Sequence, residues 1–202
     1  DSEHRLHGPD RTDLARGLRT GGFAELVVVD QSQVAPIPAD MPYESAALLG
    51  CGVLTGWGAV VNTAGLPAGS SAAVLGVGGV GVNTLQAAAL AGAAPVIAID
   101  PAADKASAAE DFGATHFLDP ESTDVPEEVR ALTEGRGVDY AFVTVGSSAV
   151  IAAGLELIRP GGTLVLVGMP ASGDILPLEA GDLANHGQSI LGSKMGSASM
   201  ER

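Results

Sequence analysis

A run of small apolar residues, Ser71-Ala72-Ala73-Val74-Leu75, leads straight into Gly76-Val77-Gly78-Gly79-Val80-Gly81 and then into an alanine-rich stretch, Asn83 to Gly92. Read as strand, glycine turn and helix, this order leaves little choice of architecture. Gly76 permits the tight turn, Gly78 lets the backbone approach a pyrophosphate, and Gly81 lets the new helix pack on the strand it has just left. The free N–H groups and positive end of such a helix face the phosphates. A G-x-G-x-x-G match alone is a weak signal. Here Pro95-Val96-Ile97-Ala98-Ile99-Asp100 supplies a second strand ending in an acid 19 residues after Gly81, where a carboxylate can accept hydrogen bonds from an adenosine ribose. A P-loop would need Lys-Ser/Thr after its last glycine, and Val82-Asn83 stand there instead. Methyltransferases that use S-adenosylmethionine usually carry an acid before their glycine loop, and Val74 and Leu75 occupy that approach.

From Ser71 onward strands and helices alternate. The pattern predicts strands at 72–75, 95–99, 116–118, 138–145, 163–167 and 189–191, with helices at 80–91, 102–112, 124–134 and 148–158. Near-continuously apolar strands alternating with helices make an α/β fold, a doubly wound parallel sheet of the Rossmann type. Right-handed crossovers put its strands most simply in the order 3-2-1-4-5-6. Upstream, residues 1–20 read as loop and 23–29 as β-rich. Pro36 and Pro38 keep 35–38 extended. Tyr43 to Ala64 reads as helix in two pieces, broken near Gly50-Cys51-Gly52.

Bulk properties exclude several classes. The 202 residues make one large domain, or a domain with an appendage. A net charge of −14, with Lys105 and Lys194 as its only lysines, argues against a nucleic-acid or anionic-membrane partner, either of which needs a basic surface. A single cysteine rules out an internal disulfide and fits a reducing compartment. No apolar run reads as a membrane span and no secretory leader is evident, so the expected location is the cytoplasm. A start at Asp1 without methionine and a stop at Arg202 read as a piece of a longer protein.

Individual residues carry the chemistry. Asp100 favours the paired ribose hydroxyls of NAD over the 2′-phosphate of NADP, and the neutral Pro101-Ala102-Ala103 provides no arginine to offset it. Lys105 is near enough to reach a ribose hydroxyl, and an ordinary solvated helix lysine fits its spacing equally well. A lone cysteine in an apolar, glycine-flanked stretch, as Cys51 is, more often packs as a small hydrophobe than binds metal. His4, His7, His116 and His186 show no metal spacing with it.

Gly50-Cys51-Gly52 with Thr55-Gly56, the turn Gly76 to Gly81, Asp100, Gly113-Ala114-Thr115, Gly137-Val138-Asp139 and Gly161-Gly162-Thr163 with Val167-Gly168 together resemble the zinc-dependent alcohol dehydrogenases of the medium-chain dehydrogenase/reductase family. The resemblance runs from about Gly22 to Ser197. The Gly-Cys-Gly-x-x-Thr-Gly-Trp-Gly phrasing is similar to the branch that holds glutathione- or mycothiol-dependent formaldehyde dehydrogenases. The resemblance implies that residues 1–42 are the remnant of an N-terminal barrel-like catalytic domain with its connecting segment, and that 43–202 are the NAD-binding domain with its leading helices.

It also implies roles. Cys51 becomes a ligand of a catalytic zinc, and Thr55 a contact to the nicotinamide. Gly76, Gly78, Gly79, Val80 and Gly81 form the pyrophosphate and ribose cradle. Asp100 and Lys105 take the adenosine ribose, and Thr144 and Val145 line the crevice beside it. Val167 and Met169, with backbone near Ser193 and Met195, bind the carboxamide end. The intact enzyme would pass hydride between NAD and a small-molecule alcohol or aldehyde, or a formaldehyde–thiol adduct, with zinc polarising the alcohol oxygen.

The family's other two zinc ligands, its cysteine-rich structural-zinc lobe and its proton-relay histidine have no counterpart in the sequence. The chain by itself is therefore expected to lack zinc and to be inactive. Two other readings stand beside this one: a catalytically incomplete NAD-binding module, and a zinc-free quinone or enoyl reductase relative, against which Cys51 and Asp100 speak. Ser189-Ile190-Leu191 reads as an edge strand, and in this family such edges join across a two-fold axis, which predicts a homodimer or homotetramer.

Overall fold

The computed structural model describes residue 7, residues 9–12 and residues 21–197. The chain divides into two compact units, of which Met41–Ala198 is the larger. In the N-terminal unit the Asp30 carboxylate accepts hydrogen bonds from the Ser32 N–H (3.0 Å) and hydroxyl (2.8 Å), capping a single 3-10 turn at Gln31–Gln33. The β-rich stretch expected at 23–29 forms no strand. Phe23, Leu26 and Val28 are exposed. β propensity makes a strand only where a neighbouring strand closes the ladder, and none pairs with this stretch among the described residues. Much of the expected loop at 1–20, including His4, lies outside the described residues.

The larger unit opens with one continuous helical stretch, Tyr43–Ala64. Its parts are α1 (Tyr43–Leu48), a wider π stretch (Leu49–Val53), α2 (Leu54–Gly58) and a second π stretch (Ala59–Ala64). The break expected at Gly50-Cys51-Gly52 is thus a change of winding. The flanking Leu48, Leu49, Val53 and Leu54 all keep right-handed helical angles, because a π bulge absorbs the extra residue without ending the helix. By length and composition the stretch could cross a membrane, which corrects the sequence reading that no run is long enough. In this unit Thr55, Gly56, Gly58, Ala59 and Val60 are buried within the protein.

Six parallel strands follow: β1 (Ala72–Leu75), β2 (Val96–Ile99), β3 (His116–Leu118), β4 (Val138–Val143), β5 (Ile158–Leu166) and β6 (Ser189–Gly192), ordered β3-β2-β1-β4-β5-β6. The doubly wound arrangement expected from the sequence is the one found. Val74 pairs with Ala98 on one side and Phe142 on the other. The period of two divides β1 between two cores. Ala72 and Val74 face one, with Leu85, Ala87 and Ala88 of α3 (Gly79–Leu90). Ala73 and Leu75 face the other, with Val125 and Val129 of α5 (Val125–Leu132) and Ile151 and Leu157 of α6 (Ser148–Leu157). Between α3 and α5, the helix expected at 102–112 is a 3-10 turn at Ala103–Lys105 running into α4 (Ala106–Asp111).

Other departures have local causes. β5 begins at Ile158, earlier than expected, and carries Pro160-Gly161-Gly162 as a bulge. Ile158 pairs with Val138 while Thr163 already pairs with Tyr140, so the proline, with no N–H to give, drops out of the ladder. β4 stops at Val143, and the Thr144 N–H makes the last rung of its ladder with β1, to Leu75 O (3.0 Å). α7 (Ala180–His186) was not anticipated. It holds His186, which had read as loop, and it ends at Gly187, a helix-stop signal the sequence did carry.

At the amino end of the sheet Ser71, Asp139 and Arg159 join three strands. The Ser71 N–H and hydroxyl each donate to Asp139 Oδ2 at 2.8 Å, and Arg159 Nε donates to Oδ1 at 2.6 Å. Burial pushes the Asp139 carboxyl up, but the Ser71 and Arg159 hydrogen bonds and the guanidinium charge outweigh it and hold it below its ordinary value. A depressed value in the folded state contributes stability above the ordinary aspartate value of 3.8 that is lost as pH falls through the folded value. Urea midpoints measured from pH 6 down to pH 3 should therefore drop on the acid side, and Asp139→Asn should flatten that drop.

Candidate functional site

The carboxyl ends of β1, β2 and β4 meet at the glycine turn, and the strand order reverses between β1 and β4. A crevice at such a point is where open α/β sheets bind ligands. β1 delivers the chain to Gly76, whose φ of 98° needs a residue without Cβ. The turn is held from both sides: the Gly76 N–H donates to Ile99 O (2.8 Å), and the Thr144 hydroxyl reaches Leu75 O (3.0 Å) and Gly76 O (2.8 Å). Gly78 then caps α3. A Cβ on Gly81 would collide with the Gly76 carbonyl, whereas one on Gly78 or Gly79 would meet no protein atom within 4 Å. The space over Gly78 and Gly79 is open, and the amino end of α3 points at it. That is the cradle a pyrophosphate requires.

Asp100 follows β2 and is 5% exposed. Its Oδ2 accepts the Val77 N–H at 2.7 Å and its Oδ1 the Ala102 N–H at 2.9 Å. Lys105 Nζ lies 3.1 Å from Oδ1 and 2.9 Å from Oδ2. Burial pushes this carboxyl up; the hydrogen bonds from Val77, Lys105 and Ala102, with the Lys105 charge, more than offset it and keep the group ionised. The ion pair of Lys105 with Asp100 is a contact that neither sequence reading of this lysine named. It also corrects the view that Asp100 has no cationic partner: the compensating charge comes from the 3-10 turn before α4 rather than from residues 101–103.

Beside Asp100 lies an apolar cavity of about 490 Å³ lined by Pro101, Pro120, Pro126, Val145, Val150 and Leu157 among others. Val145 lines this cavity. Thr144 instead braces the turn, with its hydroxyl spent on β1 carbonyls. On the far side of the switch point Val167 is buried, its N–H donating to Val143 O at 2.9 Å, while Met169 is exposed. Ser193 is buried and Met195 has a φ of 51°. The Thr55 hydroxyl points at Met195 Sδ, 4.0 Å away.

Cys51 lies on the first π stretch and is exposed, so the small-hydrophobe reading does not describe it. Zinc takes about four ligands, and among the described residues no three His, Cys, Asp or Glu side chains come together as a metal site. The described residues alone do not fit a zinc ion. Residues the sequence reading missed are Asn62, Thr63 and Ser197, which tie the helical stretch to the turn after β6. Their only sequence signal is ordinary polarity.

Residues 79–202 match the family model described as zinc-binding dehydrogenase. The chain is 35% identical over 201 residues to the NDMA-dependent alcohol dehydrogenase of Amycolatopsis methanolica, covering 98% of this chain and 54% of that protein. Benzyl alcohol dehydrogenase from Acinetobacter calcoaceticus superposes with a TM-score of 0.78 at 32% identity, over 82% of this chain and 46% of that one. A zinc-binding-dehydrogenase-type protein from Sinorhizobium meliloti 1021, solved bound to NADP, superposes with a TM-score of 0.71 at 31% identity, over 78% and 46%. The chain spans about half the length of the curated relatives it matches.

Proposed function

The chain belongs to the zinc-binding dehydrogenase family, and we propose that it is the NAD-binding part of an alcohol dehydrogenase that passes hydride between an alcohol and the nicotinamide. The observation that carries this is Asp100, a buried, ionised carboxylate at the end of β2 beside an open glycine cradle. The chain is an NAD(P)-binding domain of this family.

When bound, NAD supplies the hydride acceptor. The chain's own residues supply its place. The Gly76–Gly81 turn and the amino end of α3 take the pyrophosphate, and the apolar cavity between Pro101, Pro126 and Val150 takes the flat faces of the adenine ring. Asp100 takes the ribose hydroxyls. Its oxygens already accept Val77, Ala102 and Lys105, so a ribose diol enters as Lys105 gives up one oxygen and donates to the sugar instead. Val77 and Ala102 keep the carboxylate aimed.

Cys51 is the described residue that the family resemblance gives to a catalytic metal, and the remaining ligands would have to come from outside the described residues. For the complete protein we also propose a cytoplasmic location and a homodimer or homotetramer joined at β6, because β6 is an edge strand with apolar Ile190 and Leu191.

Titration with NADH and NADPH tests the cofactor assignment. A buried, acceptor-only carboxylate rejects a 2′-phosphate, although Lys105 softens the repulsion. The expected preference for NADH is roughly tenfold to thirtyfold, about 1.4–2 kcal/mol. Equal or tighter NADPH binding would overturn it.

A further inference from the structure

The turn after β6 holds three consecutive residues in left-handed backbone: Met195 at φ 51°, Gly196 at φ 67° and Ser197 at φ 49°. Residues with a Cβ hold that conformation only where their surroundings over-determine it, and such places cluster at ligand clamps. Here the helical stretch does the over-determining. Asn62 Nδ2 donates to Gly196 O at 3.0 Å. The Thr63 hydroxyl donates to Ser193 Oγ at 2.9 Å and, its one proton spent, accepts from Ser197 Oγ at 2.9 Å. Gly196 packs so closely on Leu54 and Gly58 that neither glycine has room for a Cβ.

The location matters as much as the strain. The Ser193 N–H donates to Leu166 O at 2.8 Å, so the turn springs from the carboxyl ends of β5 and β6. Asp100 lies on the opposite, β2 side of the switch point. A dinucleotide with its adenosine at Asp100 must carry its second nucleotide over the β4-β5-β6 ends, where this turn stands beside Thr55. Asn62 and Thr63 touch the turn through Gly196 O, Ser193 Oγ and Ser197 Oγ.

We propose that Asn62 and Thr63 are positioning residues: by holding Met195–Ser197 in its left-handed shape they set the affinity for the nicotinamide half of the cofactor, the end that the family resemblance already gives to the backbone near Ser193 and Met195. The proposal rests on the dinucleotide reading above. A residue that merely stabilises the fold would affect both halves of the ligand alike, so comparing NADH with ADP-ribose, which lacks the nicotinamide, separates the two roles.

Calorimetric titration of the full chain is the test. Thr63→Val should weaken NADH about tenfold while ADP-ribose stays within about twofold. Thr63→Ser, which restores the hydroxyl, should behave as the parent, and Asn62→Ala should repeat the selective loss and decide the matter if Thr63→Val does not fold. Equal loss for both ligands, or unchanged NADH affinity, would overturn the proposal. A parent chain that binds ADP-ribose but NADH no more tightly overturns the role of the turn and leaves the adenosine side standing. A parent chain that binds neither ligand overturns the dinucleotide reading and this proposal with it.

Discussion

Gly81→Ala is expected to abolish dinucleotide binding and to destabilise the domain, whereas Gly79→Ala, two residues earlier, should spare stability and still weaken binding. At Gly81 the added Cβ would overlap the Gly76 carbonyl and lie 3.3 Å from Thr144 Oγ1. That carbonyl cannot retreat, since Gly76 is held by Ile99 O through its N–H and by the Thr144 hydroxyl through its oxygen. Overpacking against fixed backbone costs about 3 kcal/mol, and the turn's displacement should lower NADH affinity by about a hundredfold or more. At Gly79 a Cβ meets no protein atom within 4 Å, and alanine in the first turn of α3 is at least as good a helix former. Weakened NADH binding with an unchanged urea midpoint would mean the open space belongs to the ligand. Unchanged binding in Gly79→Ala would show that nothing occupies it.

Asp100→Asn should weaken NADH by roughly a hundredfold, about 2–3 kcal/mol, because charge-assisted hydrogen bonds to the ribose are replaced by neutral ones. The amide can still accept the Val77 N–H, so the glycine turn should keep its shape, and circular dichroism should be unchanged. The substitution should also remove part of the acid-side loss of stability. The Asp100 carboxyl lies below its ordinary value of 3.8 in the folded state, so its contribution is present above that value and disappears as pH falls through the folded one. NADH affinity within about threefold of the parent would sink the ribose assignment. An undiminished acid limb would show that Asp100 carries no part of the pH dependence.

The adenosine side of the site was easier to read from the sequence than the nicotinamide side. Gly76 to Gly81 and Asp100 lie within 25 residues of one another along the chain, joined by a single helix, so motif spacing fixes their geometry almost completely. Met195 and Thr55 are 140 residues apart, and Asn62 and Gly196 are 134 apart. No local pattern reports such contacts. The Lys105–Asp100 pair falls between these cases: five residues of separation made it available, and only the 3-10 turn at Ala103–Lys105 aimed the ammonium at the carboxylate.

What the sequence determined by itself was the alternation of elements, the strand order and the glycine cradle. These follow from local periodicity and from steric limits that no later contact can relax. Tertiary structure decided the rest. It denied 23–29 a strand for want of a ladder partner and carried Tyr43–Ala64 through its glycines as a single stretch. It made the Pro160 segment a bulge inside β5. It left Cys51 at the surface, and it bent Met195–Ser197 into left-handed backbone under the grip of a helix far back in the chain. In each of these cases local propensity was weak or divided, so the energies of long-range packing and hydrogen bonding chose the outcome.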